Sequence, residues 1–185
     1  MTKLPADVKA AHELPARRVL AGARRAAGPR LGWPFLSTEG IGEMSEKLKA
    51  AVQEFYDRGW NRGDLSVIDE LFSPDYHDHD ASAQTGASSL DGARRFIETF
   101  RAAIPDLHVE IEDQYAEGST VTTRWTATGT HEGTLMGVPA THRPIEVSGI
   151  SIDRFDEQGR FAEGWGNWDG IALLRQIGAL PTASQ

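Results

Sequence analysis

Apolar residues recur three and four apart from Ser45 onward, at Leu48, Val52, Phe55, Tyr56 and Gly59 with polar residues between them, a period that predicts an amphipathic helix. The run "NRGD" (61–64) breaks it. Asp64 is a suitable cap for a second, short helix with Val67, Ile68, Leu71 and Phe72 on its apolar face, and Pro74 stops that helix. A third helix starts near Ser88, where Ser88 and Asp91 have capping-box-like spacing. It carries Phe96, Ile97, Phe100 and Ile104 and ends before Pro105.

Beyond Pro105 the period falls to two. Leu107, Val109 and Ile111 alternate with His108, Glu110 and Glu112, and "TVTTRWTATGTH" (120–131), "IEVSGISIDRF" (145–155) and "RFAEGWGNWD" (160–169) follow, giving four strands. The turns "AEGS" (116–119) and "DEQG" (156–159) join them as antiparallel hairpins, and Ile171, Leu173, Leu174 and Ile177 predict a terminal helix ending at Gly178. Helices first and strands afterwards indicate an α+β fold: a curved antiparallel sheet wrapped around the N-terminal helices as a cone. Gly129, Gly149, Gly164 and Gly166 lie inside the predicted strands and suit the bends of such a sheet. The open end of a cone is a pocket.

Residues 1–43 lack this periodicity, contain Pro5, Pro15, Pro29 and Pro34, and read as a flexible or surface-draped extension before a domain of residues 44–181 and a tail of residues 182–185. The extension holds seven basic and four acidic residues, whereas residues 44–185 hold twelve basic and twenty-three acidic ones. So acidic a body argues against nucleic-acid partners. No apolar run approaches the ~20 residues of a membrane span, and Arg24 and Arg25 interrupt the one stretch resembling a secretory signal, so a cytoplasmic location without membrane association is expected. With no cysteine among 185 residues, thiolate chemistry and cysteine-bound zinc are excluded.

Several residues can carry chemistry. In "SPDYHDHD" (73–80) an extended strand puts His77 and His79 on one face and Asp78 and Asp80 on the other. That segment is a metal site, a pocket-facing polar group or a wet strand end, and no helical H-x-x-x-H spacing supports the metal. Asp169 shares a strand face with Glu163, Trp165 and Asn167, and it either works as an acid/base in an aromatic pocket or caps the helix that follows. Asn61 positions a ligand or terminates the first helix. Trp60, Trp125, Trp165, Trp168, Phe72, Phe96 and Phe100 are aromatic material for a core or for a pocket that takes a flat ligand.

The stretches "WNRGDLSVIDELFSPDYHDHD" (60–80), "FRAAIPDL" (100–107), "TGTHEGTLMGVPAT" (128–141) and "RFDEQGRFAEGWGNWDGIALLRQIG" (154–178) together resemble the SnoaL-like polyketide cyclases, or ester cyclases, of the nuclear transport factor 2-like superfamily. The resemblance implies a cone-shaped α+β fold and a homodimer or higher oligomer packed through the sheet. It implies metal- and cofactor-independent ring closure of a hydrophobic carbonyl compound by intramolecular aldol condensation, or a related lyase or isomerase reaction. Asp169 matches the family's acid/base, and His79 and His131 match polar helpers; Trp165, Trp125, Phe72, Phe100 and Asn61 are the expected substrate contacts. Two positions depart from the pattern: His142 replaces a glycine, and Asp153 and Arg154 stand where a second histidine is expected. Two other functions stay open. One is a noncatalytic small-molecule-binding or dimeric module. The other is an epoxide hydrolase, which needs Arg124 or Arg154 turned inward.

Overall fold

A computed structural model describes residues 38–79 and 89–181 of the chain. Helix α1 spans Thr38–Phe55 and continues into a π-helical turn, Tyr56–Asn61. Helix α2 (Ser66–Leu71) is followed without a gap by strand β1 (Phe72–Asp78), and α3 (Leu90–Ala103) precedes β2 (His108–Glu117), β3 (Thr120–Thr130), β4 (Pro144–Phe155), β5 (Phe161–Trp168) and α4 (Gly170–Gln176). The fold is α+β, as expected. The residue 43/44 boundary falls within α1, and the expected extension up to residue 37, together with Ser88 and the tail of residues 182–185, lies outside the described residues. Ser89, not Ser88, precedes α3, and its side chain makes no capping bond.

Five strands form one sheet in the order β1-β5-β4-β3-β2. The four expected strands pair antiparallel, and the fifth, β1, lies parallel to β5 at the sheet edge. This corrects the reading of Phe72 as the end of a helix stopped by Pro74. Proline is tolerated in β1 because an edge strand leaves one side of its backbone unpaired. The β2–β3 hairpin turns at Gly118 with φ 59°, and the β4–β5 hairpin turns at Gly159 with φ 76°. In the second turn Asp156 Oδ1 accepts the backbone N–H groups of Gln158 and Arg160, each at 2.9 Å.

Alternation along β4 decides what faces the helices. Ile145, Val147, Asp153 and Phe155 are buried, whereas Glu146, Ser148, Ile150, Ile152 and Arg154 are exposed. Leu48, Val52 and Tyr56 from the first helix, Val67 and Ile68 from α2, and Ile97 from α3 complete the core against that inner face. Each such aliphatic or aromatic side chain contributes about 1.5–3 kcal/mol when fully buried. The helices and the sheet edge are tied together by Asn61. Its amide nitrogen donates to Val109 O at 3.0 Å and its amide oxygen accepts from Val109 N at 2.7 Å, as a neighbouring strand would. Arg101 holds the same corner by donating to the carbonyls of Trp60 at 2.6 Å and Asn61 at 3.0 Å.

Candidate active site: an aromatic cavity with two carboxylates

Between the inner sheet face and the helices lies a cavity of about 150 Å³. Ten aromatic residues line or border it, contributed by every part of the fold that meets there: Tyr56 and Trp60 from the π-helical turn, Tyr76 from β1, Phe100 from α3, Trp125 from β3 and Trp168 from β5 among them. The wide π turn presents Tyr56 and Trp60, four residues apart, on one side, and such turns recur at functional sites.

The polar part of the lining is concentrated in one corner. Asp78 on β1 and Asp153 on β4 both pair with Gly164 on the intervening strand β5, and both line the cavity. Asp153 is 9% exposed, and its Oδ2 has no hydrogen-bond partner among the described residues. Burial, reinforced by the neighbouring charge of Asp78, pushes its carboxyl up to about 7. Beside it, Ser151 Oγ accepts from Trp125 Nε1 at 3.0 Å and is hydrogen-bonded to the Tyr56 hydroxyl at 3.1 Å. Burial first, and Asp153 second, raise the Tyr56 phenol well above its usual range, so Tyr56 acts there as a neutral hydrogen-bonding group.

A missing side chain makes the corner possible. A Cβ on Gly164 would overlap the Tyr76 hydroxyl, so glycine at that position lets the phenol reach over β5 between the two carboxylate strands. Likewise a Cβ on Gly149 would run into the Trp125 ring.

Three of the five expected ligand contacts, Trp125, Phe72 and Phe100, line this cavity; Trp165 only borders it, its ring turned to the outer face against His79, and Asn61 is not among its lining residues, because both ends of its amide are taken up by Val109. Asp169 is outside it as well. The face of β5 that carries Glu163, Trp165, Asn167 and Asp169 is the outer one, while Gly164, Gly166 and Trp168 fall on the cavity side. Asp169 is exposed, and its Oδ1 accepts from Ala172 N at 2.8 Å, which makes it the N-cap of α4.

The histidines are placed away from the cavity lining too. His77 and His79 project from the outer face, where their rings meet edge to face at 4.4 Å and His79 stacks on Trp165 at 4.5 Å with an interplanar angle of 2°. His79 Nε2 lies 3.5 Å from Glu163 Oε2, and Glu163 is also paired with Arg154. Among the described residues no three His, Cys, Asp or Glu side chains gather as metal ligands do. His131 is fully buried in the β3–β4 connection, with Nδ1 2.9 Å from Thr141 Oγ1 and Nε2 without a partner among the described residues. Its backbone carbonyl accepts from Thr141 N and His142 N, so it organises that loop from within. Arg124 is bonded to Asp113 and Arg154 to Glu163, both on the outer face, and neither enters the cavity lining.

Sequence reasoning singled out Asp153 only as a departure from a pattern, and it missed Asp78 as a cavity group. The signal was alternation: Asp153 belongs to the same parity as Ile145, Val147 and Phe155, so a charge stands in an otherwise apolar face. By the same rule Tyr76 and Asp78 take the face opposite to His77 and His79.

Comparison with known proteins agrees with this architecture. The model of the family described as SnoaL-like polyketide cyclase matches residues 50–177. Among solved structures, AclR of Streptomyces galilaeus, a candidate hydroxylase, is 32% identical, with 76% of this chain and 87% of that one covered and a TM-score of 0.68. IdmH of Streptomyces antibioticus, a candidate polyketide cyclase, is 30% identical over 71% of this chain and 98% of its own, with a TM-score of 0.63. TsrD of Streptomyces laurentii is 27% identical over 73% and 97%, with a TM-score of 0.65. A comparison with curated proteins gives no match.

Proposed function

Since the chain belongs to the SnoaL-like polyketide cyclase family, we propose that it is a metal- and cofactor-independent cyclase, or a related lyase or isomerase, acting by general acid/base catalysis on a hydrophobic carbonyl compound, with Asp153 carrying the proton. The observation that carries this reading is the Asp153 carboxyl: buried, partnerless at Oδ2, pushed up to about 7 and set in an aromatic cavity. A carboxyl in that range is present in both forms near neutrality, the condition under which one group can both take and return a proton.

In the aldol version of this chemistry, the Asp153 carboxylate removes a proton from the carbon next to a carbonyl. The resulting enolate carbon attacks a second carbonyl of the same molecule, forming the ring C–C bond. The alkoxide then takes the proton back from the Asp153 carboxyl, so the product is an isomer of the substrate. Ser151 and Tyr56, already hydrogen-bonded to each other, are placed to hold a substrate oxygen.

The test needs no knowledge of the natural substrate. Phenylacetone carries a single ring, of the size a cavity of about 150 Å³ accepts, and has exchangeable α-protons, whose replacement in D2O is read by NMR. The wild type is expected to accelerate the exchange, and Asp153→Asn to lower that acceleration by about 10²-fold or more with the fold intact. Equal exchange in the two proteins removes Asp153 from the mechanism.

A second reading, a noncatalytic small-molecule-binding module, is favoured by the position of Asp169, which matches the family's acid/base yet caps α4 outside the cavity. Under that reading no α-exchange is seen with either protein. An epoxide hydrolase is disfavoured because Arg124 and Arg154 are engaged by carboxylates on the outer face. For assembly, the outer sheet face with its exposed Ile150, Ile152 and Trp165 is proposed as the surface of a homodimer. No helix among the described residues is long and apolar enough to cross a membrane.

A further inference from the structure

The cavity lining has an unusual charge balance for a site that handles neutral or acidic carbonyl compounds. It holds two carboxylates, Asp78 and Asp153, and among the described lining residues no lysine, arginine or histidine. An anionic ligand would therefore meet only carboxylates, hydroxyls and apolar side chains in a poorly solvated space, and its charge would go uncompensated. A neutral ligand can use Ser151 and Tyr56, and one with a hydroxyl can donate to Asp153 Oδ2, but it brings no charge to offset a carboxylate there.

A cation meets the opposite situation. Aromatic faces attract positive charge, by about 0.5–1 kcal/mol at exposed sites and about 2 kcal/mol or more where water is excluded. Nine aromatic residues line this cavity, Trp165 being turned to the outer face. A buried carboxylate is stabilised by a partner that brings both opposite charge and an N–H donor, and a protonated amine brings both to Asp153 Oδ2. Size narrows the class. A cavity of about 150 Å³ matches the volume at which an apolar protein cavity accepts a single benzene-sized ring.

We propose that this cavity selects a compound carrying a protonated amine next to a ring, with the ammonium in the Asp78–Asp153 corner and the ring among the aromatic side chains. The proposal rests on the reading that this cavity is the substrate site, and it deepens that reading by naming the substrate class: a hydrophobic carbonyl compound that also bears a basic nitrogen. The ammonium also favours the carboxylate form of Asp153, the form that accepts a proton from carbon.

Three single-ring probes of similar size that differ in charge test it: benzylamine, benzyl alcohol and benzoate, titrated into the full chain at pH 7 and followed by NMR. Benzylamine is expected to bind at least tenfold more tightly than benzyl alcohol, and benzoate most weakly. Asp153→Asn is expected to bring benzylamine down to the level of benzyl alcohol while benzyl alcohol binding persists, which shows that the cavity is intact. Asp169→Asn, outside the cavity, is expected to leave all three affinities unchanged. The proposal is overturned if benzyl alcohol or benzoate binds as tightly as the amine, if the amine preference survives in Asp153→Asn, or if none of the three binds. The acid/base reading is judged separately by phenylacetone exchange: exchange that persists without amine preference sinks this proposal alone, and amine preference without exchange sinks the catalytic reading alone.

Discussion

Asp78 and Asp153 stand on either side of Gly164 in neighbouring strands, both lining one aromatic cavity, and the charge of the first helps to keep the second protonated. Two carboxylates in one poorly solvated space cannot both ionise cheaply. Asp153 is the more deeply buried of the two, and its carboxyl is pushed up to about 7.

That displacement makes folding stability depend on pH in a defined direction. The folded carboxyl titrates near 7 and the unfolded one at its ordinary value of 3.8, so between those values the folded state holds more protons. Stability contributed through Asp153 therefore falls as pH rises from about 4 to about 7, by roughly 1.4 kcal/mol for each pH step of one within that window, and is level above it. Asp153→Asn carries no such charge. Its melting temperature should exceed that of the wild type at pH 8, and the gap should close toward pH 4. A wild type that gains on the Asn variant as pH rises contradicts the assignment.

Gly164→Ala tests the architecture of the corner. The added methyl would collide with the Tyr76 hydroxyl, and neither the β5 backbone nor a ring packed at 4.8 Å against Phe72 yields easily. We expect a loss of about 1–3 kcal/mol in urea unfolding, the usual cost of overfilling a packed site. The double variant Gly164→Ala with Tyr76→Phe removes the clashing oxygen and should recover part of that loss. Additive losses would show that Tyr76 does not occupy the space above Gly164.

Much of the fold was legible in periodicity. The helices of Leu48–Tyr56 and Phe96–Phe100 and the four strands after Pro105 follow from spacing alone, since each buries one face. Strand β1 was not, because Phe72 and Pro74 read locally as the end of a helix and their place depends on pairing with β5, nearly a hundred residues away. The aromatic contacts Trp125 and Phe100 were legible as well. That Asp153 and not Asp169 enters the cavity was not legible, because the two lie on opposite faces of one sheet, and which face closes over a cavity is set by the packing of α1, α2 and α3 and not by the strand sequence. Asn61 does end the first helix, as one of its two readings expected; its bonds to Val109, 48 residues away, were not legible from local sequence.

Ile152 reports on the outer face. It is 39% exposed and pairs with Trp165, itself 38% exposed, so together with Ile150 it presents apolar surface that a second copy of the chain would cover. Ile152→Glu should convert a dimer to a monomer in light scattering at micromolar concentration without unfolding the chain, since the wild-type side chain is not part of the core. A wild type that is monomeric at the same concentration removes the dimer proposal.

Asp169 separates the two carboxylates that compete for the catalytic role. As the N-cap of α4 it satisfies Ala172 N, and asparagine does so nearly as well, so Asp169→Asn should cost a few tenths of a kcal/mol and Asp169→Ala about 1 kcal/mol. Neither change reaches the cavity lining, so phenylacetone exchange should stay within about twofold of the wild type in both, against the fall of about 10² or more expected for Asp153→Asn. The pair of measurements is decisive because cap loss and proton-transfer loss have different signatures: the first lowers melting temperature and leaves turnover, and the second lowers turnover while melting temperature holds near pH 4 and rises above the wild type at higher pH. If Asp169→Asn abolishes exchange while keeping its melting temperature, the outer groove that Asp169 shares with Asn167 and Trp165 is the reacting site, and the role given to Asp153 falls with it.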